Sequence, residues 1–205
     1  LPKAGRQPFE QVDDKVWFEA WKRRAVEFTH SNLKDDWDWL AIAQHHGLAT
    51  RLLDWTYNPM LAAYFSISEK SDTDSVIYCY KPYWTVIPEN SEPFNREKTA
   101  LYKPRGVVSR IIRQSGVFTI HHKPSSPLTD TLDENDILER IIVVKKYKNE
   151  LLFELNQYGV NEYSVFPDLD GLSAYINWHI CNRNFWGSKD IFSGNSDQPE
   201  TEELL

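Results

Sequence analysis

The chain has 205 residues, 41% of them hydrophobic and 26% charged, with 23 Lys and Arg against 30 Asp and Glu for a formal charge of -7. That apolar share suffices for one core without staples, and the acidic balance argues against broad, charge-driven affinity for nucleic acid. Two isolated cysteines, Cys79 and Cys181, cannot make a disulfide framework or a paired-cysteine zinc site; with no leader and no apolar run of membrane-spanning length, a soluble cytoplasmic protein is expected.

Taken in chain order, residues 11 to 30 predict a packing helix with Val12, Val16, Trp17, Ala20, Trp21, Ala25 and Phe28 on one face. Residues 35 to 46 predict a second helix, opened by Asp35 and Asp36 and stopped by Gly47, with His45 and His46 in its last turn. That charge order suits the helix dipole, and glycine suits the left-handed residue that ends many helices. Leu48 to Trp55 is too short and aperiodic for a helix and reads as a short strand or an extended crossing of the core. Asn58 then reads as an N-cap and Pro59 as the first residue of a helix over 59 to 69.

Further on, Val76 to Tyr80 predicts a strand ended by Lys81-Pro82, and Pro82 to Pro104, with four prolines, predicts a long loop. Val107 to Arg113 is readable either as a short helix or as extended chain. Strands are expected at 117 to 121, 138 to 146 and 162 to 166, and helices at 148 to 158 and 168 to 179. From Ser188 the chain is polar and reads as a frayed tail, so a single domain over 1 to 187 with a tail over 188 to 205 is expected. Helices and strands without regular βαβ alternation predict an α+β fold, helices packed on a mostly antiparallel sheet.

The densest chemistry lies in Gln44-His45-His46-Gly47-Leu48-Ala49-Thr50-Arg51-Leu52-Leu53-Asp54-Trp55-Thr56, which crowds imidazoles, a guanidinium, a carboxylate, a hydroxyl and an indole between two helices. A plain structural reading pairs Arg51 with Asp54, lets Thr56 or Asn58 cap the next helix and leaves the histidines to complement a helix end. The functional reading makes Gln44, His45, His46, Arg51, Asp54 and Thr56 a binding site.

This string, with Asn58-Pro59 two residues on, resembles the signature of the FRG domain family. Leu1-Pro2 with Arg6, the stretch from Arg110 to His121, and Phe166-Pro167-Asp168-Leu169-Asp170-Gly171-Leu172 agree in order, so the resemblance covers most of residues 1 to 180. The family's name-giving Phe/Tyr-Arg-Gly tripeptide is expected upstream of Leu1, so its arginine strand is expected to be missing here.

Fingerprints for a Rossmann crossover or a P-loop are absent from the sequence, and no serine lies in a Gly-x-Ser-x-Gly elbow. Adjacent histidines project in different directions and rarely share an ion, so no metal is expected. More remotely, the order of parts is similar to that of the ADP-ribosyltransferase superfamily. Asp54-Trp55-Thr56 stands for its hydroxyl-bearing strand and Glu162-Tyr163-Ser164-Val165-Phe166-Pro167 for the strand with the catalytic glutamate. That resemblance implies NAD as substrate, transferase or glycohydrolase activity, Glu162 as catalytic residue, and Arg51 with His45 or His46 at the phosphate or acceptor. Asp54 and Thr56 would shape the pocket. Two alternatives stay open: a non-catalytic module binding a nucleotide or partner, and a metal-dependent nuclease using Asp54, Asp168, Asp170 and the histidines.

Overall fold

A computed structural model describes residues 1–29, 33–69, 71–106 and 109–182. The expected tail from 188 onward therefore lies outside the described residues. Among the described residues, seven α-helices and five strands follow one another as α1 (Asp14–Ala25), α2 (Asp36–His45), β1 (Leu52–Thr56), α3 (Pro59–Ile67), β2 (Ser75–Lys81), β3 (Ala100–Tyr102), α4 (Ser109–Arg113), β4 (Gly116–Ile120), β5 (Ile137–Val143), α5 (Lys148–Gln157), α6 (Glu162–Val165) and α7 (Leu169–Cys181). The α+β class with antiparallel pairing stands: β1, β4 and β3 form one sheet in that order, and β2 pairs with β5 in a second. No described helix is long and apolar enough to cross a membrane.

Local chemistry explains why β1 sits where it does. Asp35 caps α2, accepting from the backbone N–H groups of Trp37 and Asp38, and Gly47, at φ +80°, ends it. The chain then crosses the core as β1 and re-enters a helix at Asn58, whose Oδ1 accepts from Met60 and Leu61. In β1 and β4, Leu52 lies opposite Ile120 and Asp54 opposite Phe118. Opposed residues share a face, and on this face Leu52, Phe118 and Ile120 meet Ala100 and Tyr102 of β3, Phe18 of α1, and Trp37, Leu40, Ala41 and Ala43 of α2. A second apolar cluster joins Leu61, Tyr64 and Ile67 of α3 to Leu155 of α5 and Val165 of α6.

Three expectations need correction. On α1 the buried residues are Phe18 and Asp14, whereas Val16, Trp17 and Phe28 are exposed. The helix ends at Ala25, short of Phe28. Residues 14, 18, 21 and 25 lie along one helical stripe, and the ion pair of Asp14 with a buried arginine, described below, turns that stripe inward. Within the predicted loop from 82 to 104, Ala100–Tyr102 forms strand β3 against β4, a run too short to show a period. Residues 162 to 165 are helical, not extended: Asn161 accepts from the Ser164 N–H while the Ser164 hydroxyl accepts from the Asn161 N–H. This capping box overrides the β preference of Tyr163, Val165 and Phe166. The ambiguous 107-to-113 stretch is helical from Ser109.

Gly5 ties the N-terminal segment to the rest. Ala4 N–H donates to the Thr50 carbonyl, and a Cβ on Gly5 would lie 1.7 Å from the Pro124 carbonyl oxygen. Backbone cannot yield as a side-chain tip does, so Gly5→Ala is expected to cost about 2 kcal/mol, measured as a fall in the urea midpoint. An unchanged midpoint would show that the segment shifts freely.

Candidate functional site

A cleft with a volume of 800 Å³ runs beside β1, between α3 and β2. Its wall takes Leu53, Asp54, Trp55 and Thr56 from β1, Ala62, Phe65 and Ser66 from α3, and Val76, Ile77 and Tyr78 from β2. Gln44, His45, Arg6 and Gln114 also line it. A smaller hollow of 240 Å³ shares Arg6, Gln44, Leu53 and Asp54 with it and adds Lys3.

Each polar group is held by its neighbours. Thr50 Oγ1 donates to Gln44 Oε1 and accepts from the Leu52 N–H, while Gln44 Nε2 donates to Asp54 Oδ2 at 2.7 Å. The end of α2 is thereby laced to β1, and Asp54 is presented at the cleft wall. Thr56 Oγ1 donates to the Gln114 carbonyl at 2.7 Å and accepts from the Asn58 N–H at 3.0 Å. Arg6 donates from Nε and Nη2 to the Leu1 carbonyl, and Lys3 Nζ donates to the Gly47 carbonyl at 2.7 Å. Arg6 thus lines both the cleft and the adjoining hollow, Lys3 lines the hollow, and Phe65, Trp55 and Tyr78 line the cleft.

Four of the residues expected from the sequence, Gln44, His45, Asp54 and Thr56, therefore share one cleft. Three do not line it. His46 is the exposed C-cap of α2, its ring set edge-on to His45 with centroids 5.0 Å apart. Arg51 does not pair with Asp54: its Nε and Nη2 donate to the two carboxylate oxygens of Asp14, at 2.8 and 2.6 Å, and its guanidinium lies 4.8 Å from the Phe94 ring centroid. Both partners are buried. Asp54 and Arg51 are separated by three positions along an extended stretch, where side chains alternate in direction.

Glu162 accepts the hydroxyl of Tyr64, a core residue of α3. Burial, then this bond, raises the Tyr64 pKa well above its usual value. Glu162 thus pins α6 to α3. Asp168 caps α7, accepting from the Gly171 N–H at 2.8 Å, and among the described residues no three His, Cys, Asp or Glu side chains gather as a metal would need. The nuclease reading lacks its cluster there.

The family model of the FRG domain matches residues 1–75. The first 75 residues are FRG-like. The match is narrower than the span of the sequence resemblance and takes in α1, α2, β1 and α3, ending at the first residue of β2. More than half of the residues lining the cleft, from Arg6 through Ser66, belong to this FRG-like segment, while those of β2, Ile111, Gln114 and the start of β4 come from beyond it. No curated protein and no solved structure matches the chain.

Sequence reasoning passed over Lys3, Phe65, Ser66, Tyr78 and Gln114 as site residues. Arg6 carried a signal, standing beside Leu1-Pro2 in the FRG-like order. Phe65 and Tyr78 read only as apolar residues of a helix and a strand, and nothing in their local pattern tells a cleft wall from a core.

Proposed function

We propose that the FRG segment and the elements packed on it form a binding site for a nucleotide-type small molecule, with the phosphates at the Lys3 and Arg6 end and the planar base along Phe65, Trp55 and Tyr78. The observation that carries this reading is the cleft's lining: three aromatic rings and Arg6 in a cleft of suitable size, with Lys3 in the hollow that shares Arg6, Gln44, Leu53 and Asp54 with it. Sites for small ligands commonly span about 300–1,000 Å³ and combine apolar walls with a few placed polar groups. Guanidinium suits phosphate because its planar N–H fork matches two oxygens at once. Arg51 and Glu162 have no part in it.

Thermal shift and calorimetry with ADP, NAD and adenosine test this. ADP and NAD are expected to stabilise the protein, adenosine much less, and Arg6→Ala is expected to weaken ADP about tenfold, or ~1.4 kcal/mol. Equal responses to ADP in the two proteins would remove Arg6 from the site, and no response to any nucleotide would remove the reading.

A second reading, NAD-consuming transfer or hydrolysis, is favoured by one observation: among the described residues lining the cleft, Asp54 is a carboxylate held in place by Gln44. In such chemistry the bond between nicotinamide nitrogen and ribose C1′ breaks, nicotinamide leaves with the electron pair, and water or an acceptor bonds to C1′. A fixed carboxylate stabilises the cationic sugar that forms between those events. Nicotinamide release by the wild-type chain, lost in Asp54→Asn but kept in Glu162→Gln, is the expected pattern. Binding of NAD without release would leave the site a binding module.

A further inference from the structure

Beneath the cleft wall lies a buried polar chain. Trp55, opposite Val117 in the β1–β4 pairing, shares a sheet face with Leu53 and with its partner Thr119. The Trp55 indole Nε1 donates to Thr119 Oγ1 at 3.0 Å, and the same oxygen lies 3.0 Å from His121 Nε2. Thr119 and His121 are wholly buried, and neither lines the cleft. Trp55 does, with Tyr80 packed against it at a centroid distance of 5.3 Å.

What each group can do fixes the first donor along this chain. An indole N–H donates only, so Thr119 Oγ1 is its acceptor. The threonine oxygen keeps a second lone pair and its own proton, so its bond to His121 Nε2 can run in either direction, set by the histidine tautomer. An imidazole that accepts at Nε2 carries its proton at Nδ1. His121 Nδ1 is buried with no hydrogen-bond partner among the described residues. A fully buried histidine with one ring nitrogen bonded to Thr119 and the other unpaired calls for an explanation beyond packing.

We propose that His121 is a positioning residue for the cleft, holding the Thr119 hydroxyl in the direction that fixes the Trp55 indole as the wall against which a ligand's flat ring lies. Its effect on selectivity rests on the ligand reading above; its effect on the indole does not. Leucine or valine at 121 would fill the space, but only an acceptor at the Nε2 position orients the threonine proton. Without it the hydroxyl is free to turn toward other acceptors, and the indole loses its fixed anchor. Freed from it, the ring samples other rotamers, and a stacked base loses a preformed partner.

The test uses the full chain labelled with nitrogen-15, with the Trp55 indole N–H signal assigned through Trp55→Phe. Thr119→Val and His121→Phe are expected to move that signal and speed its exchange with solvent at least tenfold. His121→Gln, which places an amide oxygen near the Nε2 position, is expected to restore most of the protection. ADP affinity is expected to fall about fivefold in His121→Phe and to recover in His121→Gln. An indole signal unmoved in both Thr119→Val and His121→Phe overturns the proposal. Should those variants fail to fold, the ring nitrogen shifts of wild-type His121 decide it, because a proton found on Nε2 at neutral pH contradicts the chain of donors. A responsive indole in a protein that binds no nucleotide upholds the relay and removes only the ligand reading.

Discussion

Asp14→Ala is expected to destabilise the protein by about 3–5 kcal/mol, the largest effect of any single substitution considered. Removing the carboxylate leaves the Arg51 guanidinium buried with both of its charge-assisted bonds broken, at a site where the side chains of the two partners are 10% and 9% exposed. The Phe94 ring beneath Arg51 offers only a weak substitute. Urea denaturation measures the loss directly. The double variant Asp14→Leu with Arg51→Met should recover most of it, since an apolar pair of similar bulk incurs no desolvation of charge. If Asp14→Ala alone costs less than about 1 kcal/mol, the pair behaves as a surface contact and the inward stripe of α1 is held by Phe18 instead.

Acid should weaken the fold through His121. Burial, with His122 adding to it, brings its pKa from 6.5 down to about 4. Between those values the unfolded chain takes up a proton that the folded chain refuses, so stability is full above pH 6.5 and falls as pH drops toward 4. The full loss is about 3 kcal/mol, at about 1.4 kcal/mol per tenfold change in proton affinity. Unfolding free energies at neutral pH and at pH near 4 should differ by that amount more in the wild-type chain than in His121→Gln, which does not titrate. Asp133, whose pKa is held low chiefly by its hydrogen bonds from Lys98 and Trp84, also loses its contribution as pH falls, at still lower pH. It is present in both proteins and cancels in the comparison. A wild-type curve parallel to that of the variant would mean that water reaches His121.

The histidine also shows how site chemistry divides between chain and fold. His45 and His46 stand out in the sequence because they adjoin the signature, yet His46 faces solvent and His45 only edges the cleft. His121 closes a plain strand and gives no sign of being wholly buried and hydrogen-bonded to Thr119. Proximity along the chain selected the first pair; burial under the sheet gives the other its properties. Arg51 teaches the same lesson, since its partner is 37 residues away and no local pattern favours Asp14 over Asp54.

What the amino-acid order determined by itself is the local grammar around β1: Asp35 and Gly47 bounding α2, Asn58-Pro59 opening α3, Gly159 following α5, and Asp168 capping α7. These follow from backbone groups that must be capped within a few residues, so the information is short-range. The α+β class followed from the same elements. The tertiary structure alone decided which face of α1 turns inward, that residues 162 to 165 coil into a helix, that Arg51 and Glu162 are engaged in packing, and that Lys3, Arg6, Phe65 and Tyr78 meet Asp54 around one cleft. Those outcomes depend on pairings between β1 and β4 and on contacts among segments far apart in sequence, where burial and charge pairing outweigh local preference.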